Sequence, residues 1–121
     1  QAFFSLPLDK KKGYEIPGLA GQRGYTSFGR EHAKGSEVPD LKEFFQFGQT
    51  IEDGEDVGEY YPPNVVVQDL PEFTPTLLEA YRHYEASGRQ LLRAIALYLG
   101  LDEFYFDEHI HNGNSILRCI H

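Results

Sequence analysis

The chain is short of cysteine, of basic residues and of long apolar runs, and each shortage removes a class of function. A single cysteine, Cys119, rules out an internal disulfide and a thiolate-rich zinc site, and suits a reducing cytoplasm. Eleven basic residues against nineteen acidic ones leave a formal charge of -8, which repels phosphate backbones and anionic headgroups. Nucleic acid and membrane surfaces are therefore poor partners. No apolar run approaches the roughly 20 residues of a membrane span, and the first residues lack a basic-then-apolar signal pattern.

What remains is ordinary globular composition, 40% apolar and 14% aromatic over 121 residues, enough for one modest domain. Both ends suggest a longer protein. Residues 1–8 resemble the last turn of a helix leaving at Pro7. Residues 115–121, after the turn-like Asn112-Gly113-Asn114, read as a strand with nothing to pair with, which predicts a continuation into a sheet beyond His121.

Between these ends the expected fold is a mainly α fragment: one long helix, short helices, long loops and the terminal strand. Residues 13–37 hold six glycines and no apolar period, so they read as an ordered loop of functional length. Residues 38–47 suggest a short helix capped by Asp40, ended by Gly48, with its phenylalanines on a core. Glu52, Asp53, Glu55, Asp56 and Glu59 read as a solvated acidic loop, because their spacing does not supply an EF-hand ligand set. The strongest element spans 74–99, with Thr74 as N-cap, Pro75 in the first turn and Gly100 as the stop. Leu77, Leu78, Tyr81, Tyr84, Leu91, Leu92, Ile95 and Tyr98 form its stripe. A second helix follows Leu101, with Asp102 as its cap. Asp107, His109 and His111 are close in sequence, but the pattern around them is a helix end and turn, where the two rings diverge and no metal site is expected.

The order of these blocks resembles a known family. Residues 3–12 (FFSLPLDKKK), 24–31 (GYTSFGRE), 39–45 (PDLKEFF), 91–97 (LLRAIAL) and 114–118 (NSILR) are together similar to the isopenicillin N synthase-like branch of the non-haem iron, 2-oxoglutarate-dependent oxygenases. That resemblance implies that residues 1–121 are a partial N-terminal non-haem dioxygenase domain, the helical support of an α+β double-stranded β-helix (jelly-roll) barrel that follows residue 121. Fe(II) and 2-oxoglutarate would be held by the barrel of the parent enzyme and neither by this fragment. The fragment alone is then expected to carry no catalytic residue and no metal ligand, and to be inactive. Its partners would be the missing barrel of the same chain and a small-molecule substrate.

Two places have substrate-contact potential under the resemblance. The loop at 22–26 matches one whose arginine and tyrosine hold substrate in isopenicillin N synthase, which points to Arg23 and Tyr25. Arg23 is offset by one position, and Thr26 stands where the tyrosine is expected. The terminal strand places Ile116, Arg118 and Ile120 on one face, and Arg118 there suits a carboxylate. The competing class is a stand-alone helical interaction module that binds another protein through the long helix stripe.

Overall fold

The computed structural model describes residues 1–19, 21–51 and 61–121, and the acidic loop expected at Glu52–Glu59 lies outside the described residues. The element order is α1 (Leu8–Lys12), β1 (Gly24–Thr26), β2 (Phe44–Gly48), α2 (Phe73–Tyr98), α3 (Asp107–Ile110) and β3 (Ile116–Ile120). The three strands form one antiparallel sheet in the order β1-β2-β3. The fold is thus helix on sheet, and the mainly α expectation is met only in part, since a three-stranded antiparallel sheet stands beside the helices.

The difference turns on β2. The expected helix over 38–47 is a strand from Phe44, because side chains of period two serve the two faces of a central strand. Phe45 and Phe47 point to one side, Phe44 and Gln46 to the other, and all four are buried. Neighbours on both edges satisfy the backbone: Tyr25 sits opposite Phe45, which sits opposite Cys119, and Gln46 pairs with Arg118. The same pairing corrects the expected lone terminal strand, since β3 is hydrogen-bonded along β2 over five residue pairs.

The core lies on the α2 side of the sheet. Tyr25, Phe45 and Phe47 meet Phe3, Val67, Leu77 and Tyr81, with Leu117 and Cys119 against them. Phe3 is fully buried, with its ring 5.0 Å from Phe45 edge-on and 5.0 Å from Phe73 in a stack. Such aromatic pairs add about 0.5–1.5 kcal/mol each beyond their area. The opening residues therefore plug the core, and Pro7 precedes helix α1 instead of closing an earlier one. Proline suits that position because a helix start has spare N–H groups to lose.

Helix α2 is 26 residues long, about 39 Å at 1.5 Å per residue. It begins one residue before the expected start. Thr74 does not cap it; its Oγ1 accepts the Val67 N–H at 3.1 Å and ties the preceding loop to the first turn. The end matches the sequence. Gly100 adopts φ 70°, its N–H donates to the Leu97 carbonyl and the Leu101 N–H donates to that of Ala96, the paired bonds of a Schellman stop. Leu77 and Tyr81 of the stripe are buried on the sheet, whereas Tyr84, Leu91, Ile95 and Tyr98 lie in the exposed half. There the chain doubles back: Asp102 Oδ1 accepts the Phe104 N–H, and Arg93 grips Asp107 through two bonds of 3.2 and 2.5 Å. The short helix after Leu101 is displaced to Asp107–Ile110.

Candidate functional site: the uncovered face of the sheet

The face of the sheet turned away from α2 carries Thr26, Phe44 and Ile120 in one row and Gly24, Gln46 and Arg118 in the next. No helix packs on it among the described residues. Gln46 is nearly fully buried there. Its Nε2 donates to the Gly21 carbonyl and its Oε1 accepts Arg118 Nε at 2.6 Å. The guanidinium lies 4.3 Å over the Phe44 ring, and its Nη1 reaches Glu31 Oε2 at 3.3 Å. Lys42 binds the same Glu31 oxygen at 3.0 Å and Asp40 at 2.9 Å. The strand thus presents a guanidinium whose plane is set by an amide and an aromatic ring, a geometry suited to a carboxylate or other planar acceptor. Its side chain remains 37% exposed.

The structure does not bring Arg23 and Tyr25 to this face. Arg23 has no exposed surface. Its Nη1 donates to the Gln22 carbonyl at 2.8 Å, its Nη2 to Asn114 Oδ1 at 3.4 Å, and its guanidinium carbon lies 5.2 Å from the Tyr61 ring centre. It occupies the space where a side chain on Gly48 would be, so a larger residue at that end of β2 would have to displace the guanidinium. Tyr25 points into the core side, where its hydroxyl donates to Glu43. Both residues are buried within the fold, and the sheet separates Tyr25 from Arg118.

Glu43 is the centre of a buried ionic cluster that the sequence reading missed. It accepts from Lys11 Nζ at 2.6 Å, from Tyr25 and from His121 Nδ1 at 3.1 Å, while Lys11 also donates to the Phe4 carbonyl. Burial by itself would raise the Glu43 pKa, but the bonds from Lys11 and Tyr25 outweigh it and hold the carboxyl below its ordinary value. Burial, then the bond to Glu43, pushes the Tyr25 hydroxyl well above the usual tyrosine range. The signal that would have found Gln46 and Glu43 is the alternation Glu43, Phe45, Phe47 against Phe44, Gln46, which is a strand pattern hidden behind a helix-like Pro-Asp start.

Among the described residues no group of three or more His, Cys, Asp or Glu side chains converges to hold a metal ion, and no helix is long and apolar enough to cross a membrane. His109 turns back on its own helix, with Nδ1 3.1 Å from the Tyr105 carbonyl.

The described residues thus form a helix-backed sheet whose other face carries an oriented arginine. The chain belongs to the non-haem dioxygenase family: the family described as "non-haem dioxygenase in morphine synthesis N-terminal" matches residues 1–69. It is 35% identical over its whole length to "Proline hydroxylase buaE" of Petromyces alliaceus, of which it covers 38%. Its structure is similar to that of a putative 2OG-Fe(II) oxygenase family protein from Caulobacter crescentus, with a TM-score of 0.86 and 38% identity over 98% of this chain and 39% of the other. A full-length protein from Neurospora crassa, solved in complex with alpha-KG, aligns with a TM-score of 0.73 and 31% identity over 98% of this chain and 37% of that one. The chain therefore spans somewhat over a third of the length of these relatives.

Proposed function

We propose that residues 1–121 are the N-terminal supporting region of an Fe(II)- and 2-oxoglutarate-dependent oxygenase that oxidises a small molecule. The observation that carries this reading is the agreement of nearly the whole folded unit with little more than a third of a putative 2OG-Fe(II) oxygenase. In this reading the jelly-roll barrel comes from sequence beyond residue 121 and closes over the uncovered face of the sheet. Iron, when bound there, would activate dioxygen with oxoglutarate as the second electron source. Among the described residues no group of side chains converges to hold a metal ion, and in this reading they take other work. Arg118 binds a carboxylate at the wall of the cavity, Gln46 and Phe44 fix its plane, and Arg23 and Tyr25 hold the supporting loops and sheet in place. The exposed half of the α2 stripe, the surface an independent interaction module would use, is covered by the rest of the same polypeptide. The one thiol, Cys119, is half-buried and its pKa is raised by burial, in keeping with a structural cysteine in a reducing cytoplasm.

The test is oxygen uptake by the protein carrying this chain, supplied with Fe(II) and 2-oxoglutarate. Uptake that requires both is expected; uptake indifferent to oxoglutarate overturns the cosubstrate assignment. In the same assay Arg118→Gln is expected to raise the half-saturating concentration of oxoglutarate or of the prime substrate about tenfold or more, since a hydrogen bond to a charged group is worth about 1.5–3 kcal/mol. Which of the two moves identifies the carboxylate. If neither moves, Arg118 serves only to fasten Glu31 to the sheet.

A further inference from the structure

Arg118 has a counter-ion before any ligand arrives. Glu31 Oε2 meets its Nη1 at 3.3 Å, and the same oxygen takes Lys42 Nζ at the shorter 3.0 Å, with Lys42 held in turn by Asp40 at 2.9 Å. Of the contacts that fix the guanidinium, the one to Glu31 is the loosest hydrogen bond, since Gln46 Oε1 accepts Nε at 2.6 Å. Glu31 engages one N–H at one oxygen, whereas a well-seated carboxylate takes two in parallel at about 2.7–2.9 Å. The Glu31 backbone is anchored independently of its side chain, because its carbonyl accepts the Asp40 N–H at 2.8 Å across the neck of the 31–40 loop. The carboxylate can therefore leave Arg118 and stay paired with Lys42 while strand and loop keep their places. The side chains of Arg118 and Glu31 are 37% and 36% exposed, so the pair is open to solvent and to a competing anion.

We propose that Glu31 is a resident stand-in for the ligand's carboxylate: it occupies Arg118 in the empty site and passes to Lys42 when an anionic ligand takes its place. The inference rests on the reading of Arg118 as a carboxylate-binding residue. A guanidinium does not deprotonate in a protein, so the empty site needs a counter-ion. Lys42 makes the exchange reversible, because it keeps Glu31 compensated after displacement and leaves the ligand only the long bond to break. The ligand's apparent affinity is lowered by the fraction of time Glu31 holds the seat. A neutral ligand cannot compensate the guanidinium and so does not displace Glu31. Glu31 and Lys42 are thus positioning residues that set how strongly the site selects an anion.

The probe is acetate, titrated at constant ionic strength into the metal-free protein carrying this chain. Binding is followed at the Arg118 Nε–H resonance, assigned by its loss in Arg118→Gln, and acetamide is the neutral control. Acetate should shift that resonance saturably and acetamide should not. Glu31→Gln is expected to lower the half-saturating acetate concentration about two- to fivefold, the range of an exposed ion pair. Lys42→Met is expected to raise it by a similar factor. The double variant decides: in the Glu31→Gln background, Lys42→Met should change nothing further, because Lys42 acts only through Glu31. Additive effects would overturn the exchange in favour of a general charge effect. A half-saturation in Glu31→Gln equal to or above wild type would also overturn it and leave Glu31 as a fastener of the loop. Circular dichroism confirms that each variant is folded. If acetate shifts the resonance in neither wild type nor Glu31→Gln, the carboxylate reading of Arg118 falls and the exchange with it, whereas oxygen uptake tests the oxygenase reading separately.

Discussion

Glu43→Leu is expected to destabilise the protein carrying this chain by about 3–5 kcal/mol, the usual cost of removing one partner from a buried ion pair. The side chains of Lys11 and Glu43 are only 9% and 2% exposed, so solvent cannot replace what is lost. The substitution leaves the Lys11 ammonium with the Phe4 carbonyl, and strips an acceptor from Tyr25 and from His121. Urea unfolding measures the loss. The double variant Lys11→Met/Glu43→Leu should recover part of it, because the orphaned charge is then gone; if the two single costs simply add, the pair is not coupled. The same cluster sets a pH dependence. A carboxyl held below its ordinary pKa stabilises the fold above that ordinary value, 4.5 for Glu43, and the contribution drains away as pH falls through the lower folded value. Acid unfolding of the wild type should thus steepen below about pH 4.5, and the Glu43→Leu variant should lack that component.

Gly24→Ala is expected to cost about 2–5 kcal/mol. Gly24 opens β1 with φ 75°, and a side chain placed there would run into the Tyr14 backbone carbonyl and lie 3.1 Å from Val65 Cγ2. The left-handed backbone alone costs an alanine about 1–2 kcal/mol, and crowding in a packed site adds about 1–3 kcal/mol. The carbonyl cannot step aside, since it accepts the Tyr25 N–H at 3.0 Å and so holds the Glu15 bridge in register. Gly18→Ala is the control. Gly18 has φ 86° but no atom within 4 Å of the position a side chain would take, so only the backbone cost applies. Equal losses at the two positions in urea unfolding would mean that the approach to Tyr14 is not limiting.

Helix α2 was legible because its evidence is local. A run of apolar residues at helical spacing, a proline in the first turn and a glycine at the stop each act within a few residues, and the structure differs by one residue at either end. β3 was legible for the same reason, and the alternation of Ile116, Arg118 and Ile120 against Leu117 and Cys119 stands in the burial pattern. β2 was not. Phenylalanine accepts either conformation, and what made 44–48 a strand was the arrival of β1 from one side and β3, more than seventy residues later, from the other.

The candidate site divides in the same way. The sequence by itself determined the α2 helix, the strand character of 116–120, the shared face of Ile116, Arg118 and Ile120 and the family to which the chain belongs, because each is written in local spacing or in the order of blocks. Only the tertiary structure decided that Arg23 and Tyr25 are buried, that Gln46 and Phe44 orient Arg118, and that Lys11 and Glu43 meet across thirty-two residues. The physical reason is that burial and hydrogen-bond partnership are properties of pairs brought together by the folded sheet and the helices against it. A single position in the chain carries no record of which distant residue will satisfy it.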